Sequence, residues 1–156
     1  MYCYLSKNYY IYIEGVIMIL TIEERSIIKS SFAELIKENV NIAECFYNNL
    51  FEMAPLIKPM FKSDPNILEK HFNELIIKAV SKVDNFEAFQ SHLFELGKRH
   101  KEYGAQISQF EIVKSSLLLS LQYELKGQYN EALEFAWSKY IDNISQIMID
   151  GLSTDD

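Results

Sequence analysis

At 156 residues the chain has the length of one domain and can bury a full core. A net charge of −7 without any basic run argues against nucleic acid as the main partner, and 49% apolar with 24% charged residues is ordinary for a soluble globular protein. Cys3 and Cys45, the only two cysteines, indicate neither a disulfide framework nor a zinc ligand set and suit a reducing cytoplasm. The ten Phe, ten Tyr and single Trp suit a bulky core, and equally an aromatic-lined cavity.

Residues 1–19 do not match the rest of the chain. The segment is tyrosine-rich, too short and polar to cross a membrane, and lacks the basic start and small-residue cleavage site of a signal peptide. Glu14-Gly15-Val16-Ile17-Met18 can be encoded by a purine-rich ribosome-binding sequence just ahead of an ATG. Met18 then reads as a possible true start behind a translated leader, and a loosely ordered N-terminal arm is the plain alternative. The domain proper is expected over 20–156.

From Thr21 the pattern is helical. Thr21 with Glu24 predicts a capping box, and Ile28, Phe32 and Leu35 or Ile36 recur at helical spacing until about Asn39. A second helix is expected over about Ile42–Met53, stopped by Pro55, with Phe61 before the break at Lys62–Pro65. A third runs from Pro65 to about Lys82 with His71, Leu75 and Ala79 as its inward stripe, and Phe72 and Ile76 beside them. Asp84 with Glu87 predicts the next start, and that helix carries Phe89, Leu93, Leu96 and His100 before Gly104 ends it. Ser108 with Glu111 predicts another, facing inward through Ile112, Ser116, Leu119 and Tyr123 and broken by Gly127. The last is expected from Asn130 to Ile149, with Leu133, Trp137, Ile141, Ile144 and Met148 inward and Gly151 closing it. The class is all-α, one domain, without repeats.

Two histidines thus fall on inward faces of successive helices. His100 has two readings, a buried imidazole bonded to a carbonyl or a ligand aimed at a metal, and His71 can also swing out to solvent. His92, about 80° round the helix from His100, reads as surface or rim.

The stretch 20–152 resembles the globin family. The piece 46–61, FYNNLFEMAPLIKPMF, keeps the family's Phe51, Pro55 and Phe61 spacing, and His71 and His100 stand 29 residues apart, the myoglobin-type separation. The piece 96–104, LGKRHKEYG, is similar to the proximal segment of neuroglobins and of bacterial single-domain globins, and Trp137 also fits. The resemblance implies a globin-like fold of about seven to eight helices around a haem pocket, with haem b (iron protoporphyrin IX) as cofactor. It implies His100 as the axial iron ligand, its Nδ1–H oriented by the Leu96 carbonyl, and Phe61 packed on the porphyrin. Tyr47 and His71 become the distal tyrosine and histidine, with Leu75 limiting the space there and His71 a possible second axial ligand. Tyr47 also reads as an ordinary core tyrosine, with Phe46 competing for the inward direction.

Reversible binding of dioxygen, and of NO and CO, is the role the resemblance implies. Dioxygenation of nitric oxide is the enzymatic alternative, and a gas-sensing or haem-free stress-sensing domain a third. The tyrosine and glutamate that polarise the proximal histidine in flavohaemoglobins correspond here to Phe110 and about Leu152, which weakens any peroxidase-like role. With no flavin or NAD domain in the chain, nitric oxide turnover is expected to need a separate reductase. No nucleic-acid or membrane partner is expected, and oligomeric state stays open.

Overall fold

The computed structural model describes residues 3–6, 9–12 and 15–155, with side chains from Ile17 onward. The expected leader or loose arm over 1–19 lies partly outside the described residues. Where described, the segment forms three antiparallel strands in the order β1 (Cys3–Ser6), β2 (Tyr9–Tyr12) and β3 (Gly15–Met18), to which the sequence reading assigned no strand. β3 is fastened to the last helix by one amide. Asn143 Oδ1 accepts from Met18 N–H at 2.9 Å and Asn143 Nδ2 donates to the Met18 carbonyl at 2.7 Å.

The rest is helical: α1 (Ile22–Lys37), α2 (Ile42–Met53), a 3-10 turn over Pro55–Met60, α3 (Pro65–Ser81), α4 (Glu87–Glu102), α5 (Gln109–Leu125), a short 3-10 turn at Lys126–Gln128 and α6 (Glu131–Ser153). Local chemistry sets several of these ends. The Thr21–Glu24 capping box forms, with Thr21 N–H donating to Glu24 Oε2 at 2.8 Å and Glu24 N–H donating to Thr21 Oγ1 at 3.1 Å. Pro65 occupies the first turn of α3, where its missing N–H costs nothing, and Asp64 accepts from Asn66 N–H at 2.8 Å. Gly104, at φ 82°, turns the chain just after α4 in a conformation that favours glycine.

Other ends are decided by tertiary contact. Asp84 does not cap α4; its carboxylate reaches Lys29 Nζ at 2.6 Å and Arg25 Nε at 3.4 Å on α1, and the start of α4 has no side-chain cap. Ser108 likewise makes no cap, and Gln109 Oε1 instead accepts from Gln106 N–H at 2.9 Å. α5 breaks at Lys126, φ 52°, one residue before Gly127. Its buried face also differs from expectation. Leu119 and Tyr123 are exposed, while Ser116, Leu117, Ser120, Leu121 and Leu125 are buried. The run Leu117-Leu118-Leu119 offers two registers, and packing on α2 selects the one through Leu117.

Gly151 is not a stop. α6 continues to Ser153, and Gly151 with Gly97 is where α4 and α6 cross. A Cβ at Gly97 would overlap the Met148 carbonyl, and one at Gly151 the Phe94 carbonyl. α6 runs through the core: Trp137 Nε1–H donates to Ser31 Oγ of α1 at 2.9 Å, and Tyr140 donates to the Ala79 carbonyl of α3 at 2.6 Å. Among the described residues, no helix is long and apolar enough to cross a membrane.

Candidate functional site

The site is built by two consecutive helices that do not lie flat on each other. α3 packs on α2 and α1, α4 on α6, and the two have no extended contact between them. They meet near the bend that joins them, where Lys78 Nζ lies 3.2 Å from His92 Nδ1 and 5.8 Å from the centre of the Phe89 ring. From that point His71 is seven residues back along α3 and His100 eight residues on along α4. At 1.5 Å per residue both histidines sit roughly 10–12 Å from the meeting point. The pair therefore forms a V, with a histidine on each arm toward the open end.

His100 is half-buried, and its Nδ1 is 2.8 Å from the Leu96 carbonyl one turn earlier. A carbonyl only accepts, so Nδ1 carries the hydrogen and Nε2 is left with a free lone pair, the tautomer a metal requires. Burial lowers the proton affinity of this imidazole, the Leu96 hydrogen bond opposes that, and the neighbouring Arg99 charge adds to it. The net effect keeps the ring neutral at physiological pH.

On the α2 side the wall is aromatic. Tyr47 lies in edge contact with Phe61 at 5.7 Å, with Phe72 at 5.8 Å and with Phe46 at 5.1 Å between ring centres, while Phe51 meets Phe61 at 5.1 Å. Phe61 is set by the 3-10 turn, its N–H donating to the Lys58 carbonyl at 3.1 Å. Phe46 takes the fully inward direction, stacked on Phe72 at 4.1 Å, so Tyr47 is left half-buried at the wall. The Tyr47 hydroxyl donates to the Leu68 carbonyl of α3 at 3.5 Å, a long contact that holds it weakly. Burial, with Glu69 nearby, pushes the phenol up to about 12, so it stays a donor throughout the physiological range.

Of the residues singled out by sequence, Tyr47, Phe61, Leu75, Leu96 and His100 are all half-buried; His71, expected on the inward stripe, is exposed, because α3 buries the face through Ile76, Ala79 and Val80 instead. Phe110 and Leu152 are apolar and half-buried. His92 is half-buried and has in Lys78 a partner that the sequence did not suggest. Sequence reading also gave no role to Gly97. A lone glycine inside an amphipathic helix was the available signal, since it costs about 1 kcal/mol against Ala and needs a packing reason.

Six α-helices from Ile22 onward, with a histidine on each of two successive helices that make no extended contact, define the class. The family model described as Globin matches residues 44–148. Neuroglobin-1 of Oncorhynchus mykiss is 30% identical over 132 residues, covering 76% of this chain and 83% of the relative. Among solved structures, a bacterial globin from Campylobacter jejuni superposes with a TM-score of 0.74 at 27% identity, over 85% of this chain and 96% of that one. A hexacoordinated haem protein from an anhydrobiotic tardigrade gives 0.72 at 23% identity, over 86% and 96%, and shows the fold alone.

The chain belongs to the globin family. The residues present fit the planar iron porphyrin that this family implies. The fit rests on a neutral imidazole with Nε2 free, two successive helices without extended contact, and an aromatic wall at Phe51, Phe61 and Tyr47.

Proposed function

We propose that this protein holds haem b between α3 and α4 through Nε2 of His100, and binds dioxygen and other diatomic gases reversibly in the cytoplasm. The observation that carries the reading is the 2.8 Å contact from His100 Nδ1 to the Leu96 carbonyl. It fixes the tautomer and ring plane and makes the free nitrogen a better ligand. When bound, haem supplies a Lewis-acidic iron for the gas. The chain supplies the rest. Phe61, Leu75 and Leu96 exclude water from the slot, which strengthens every polar contact made inside it. Tyr47, neutral and weakly held, turns its hydroxyl toward the distal side as a donor, and His71 offers a second. Such donors favour dioxygen, which accumulates negative charge, over carbon monoxide, which does not.

His71 could also hold the iron if haem is bound. Likeness to the neuroglobins and the exposed, unconstrained position of His71 on α3 support it. The absorption spectrum of the purified protein, ferric and dithionite-reduced, with and without CO, tests both readings. A single broad visible band on reduction, shifted by CO, indicates an open site. Split visible bands before CO indicate that His71 is bound, and gas affinity then depends on its release. No Soret band after added haemin would overturn the proposal. Nitric oxide dioxygenation would require electrons from a separate reductase, and sustained nitrate formation with a cellular reductant would be its signature.

A further inference from the structure

The contact that closes the V is itself titratable. Lys78 Nζ stands 3.2 Å from His92 Nδ1, and the same ammonium lies over the Phe89 ring at 5.8 Å. The His92 imidazole stacks on that ring at 5.6 Å between centres and 15° between planes, which holds its Nδ1 toward α3. An ammonium has only hydrogens to offer, so the bond requires Nδ1 to carry a lone pair, and it exists only while His92 is neutral. Elsewhere α3 and α4 have no extended contact, so this bond joins them near the bend from which they diverge.

We propose that Lys78 and His92 form a pH-sensitive clasp, closed when His92 is neutral and opened by its protonation, that sets the width of the slot between α3 and α4. Protonation removes the acceptor and places a second positive charge against the ammonium. The charged groups acting on His92 are Lys78 from α3 and Arg99 from its own helix, both cationic, so no carboxylate compensates. Burial and these two charges, burial first, lower its proton affinity below that of a free histidine. With its folded pKa depressed, the clasp is intact above the unfolded value of about 6.5 and is lost as pH falls through the lower folded value. Lys78 and His92 lie seven and eight residues from His71 and His100, so the clasp acts on the slot through the angle of the two helices. The consequence for haem or gas rests on the proposed function; the clasp itself does not.

The test is amide hydrogen exchange on the full chain without haem, from about pH 7.5 down through about pH 4.5, comparing native protein with His92→Gln and Lys78→Met. Gln keeps an acceptor for Lys78 but does not titrate. Protection factors at the C-terminal end of α3 should fall roughly two- to fivefold at the lower pH in the native chain, the size of a surface charge interaction, and stay level in His92→Gln. Lys78→Met should show the lower protection throughout this pH range. With haemin bound, the rate of haemin loss to a scavenger should carry the same pH dependence in the native chain only. Equal pH dependence in native protein and His92→Gln, or an unchanged Lys78→Met, would overturn the clasp. Failure to bind haemin would remove the second readout and leave the first decisive.

Discussion

At the scale of single residues, His100 and Tyr47 illustrate how one neighbour sets a side chain's chemistry. His100 is a candidate ligand because its Nδ1–H donates to the Leu96 carbonyl, leaving Nε2 free, and burial disfavours the charged ring. His100→Ala should therefore abolish haem uptake, read as loss of the Soret band on haemin titration, with helical circular dichroism retained. Retention of an unchanged spectrum would sink the ligand assignment. Tyr47 is held by a 3.5 Å bond to the Leu68 carbonyl, so little is lost in freeing its hydroxyl. Tyr47→Phe should speed dioxygen dissociation by about tenfold, the equivalent of roughly 1.4 kcal/mol and within the range for one hydrogen bond, and leave CO dissociation nearly unchanged. Equal effects on both gases would show that the hydroxyl is not a distal donor.

At the scale of elements, the crossing of α4 on α6 has the least tolerance. The overlaps at Gly97 and Gly151 are with backbone carbonyls, which cannot rotate away as a side chain would. Gly97→Ala should destabilise by about 1–3 kcal/mol or more, in spite of alanine's better helix propensity, because α4 must shift to admit the methyl. The midpoint of urea denaturation measures it, and a rise in stability would show that the crossing can loosen at no cost. The same shift moves His100, three residues on, so haemin should also dissociate faster. The helix ends divide into two kinds. Thr21 and Asp64 bond to backbone within three residues of themselves, and such caps are legible in sequence. Asp84 looks the same in sequence, yet it bridges to Lys29 and Arg25 on a helix more than fifty residues away.

At the scale of the whole molecule, α6 joins the two ends of the chain to the slot. Asn143 fastens β3, Trp137 reaches Ser31, and Tyr140 reaches Ala79 on the histidine-bearing α3. Tyr140, buried, and the half-buried Tyr47 and Tyr129 also set an alkaline limit on stability. Burial is the main cause that pushes Tyr47 and Tyr129 up to about 12, and it raises Tyr140 still further. A tyrosine in the unfolded chain ionises near about 10, so the unfolded state loses its protons first as pH rises. Stability should be level below about pH 10 and fall steadily through about pH 12, with a lower denaturation midpoint at about pH 11 than at about pH 8. Tyr140→Phe should reduce that slope. A midpoint independent of pH across this range would refute the role of these tyrosines.

The helical class, most helix positions, the inward stripe of α6 and the pair of histidines on successive helices were legible in the amino-acid order. These depend on periodicity and on short-range chemistry that lies within one turn. The likeness of the Phe51–Phe61 piece and of residues 96–104 to known globins extended that reading to a cofactor and its candidate ligand. Packing chose which register of the Leu117–Leu119 run is buried, paired Asp84 with α1, and made Gly151 a crossing point. It alone brought Lys78 to His92 and left α3 and α4 apart where His71 and His100 stand. Each of these depends on which distant surface an element meets. A local pattern that offers two faces, or a residue that can act as cap, ion pair or contact, contains no term to choose between them.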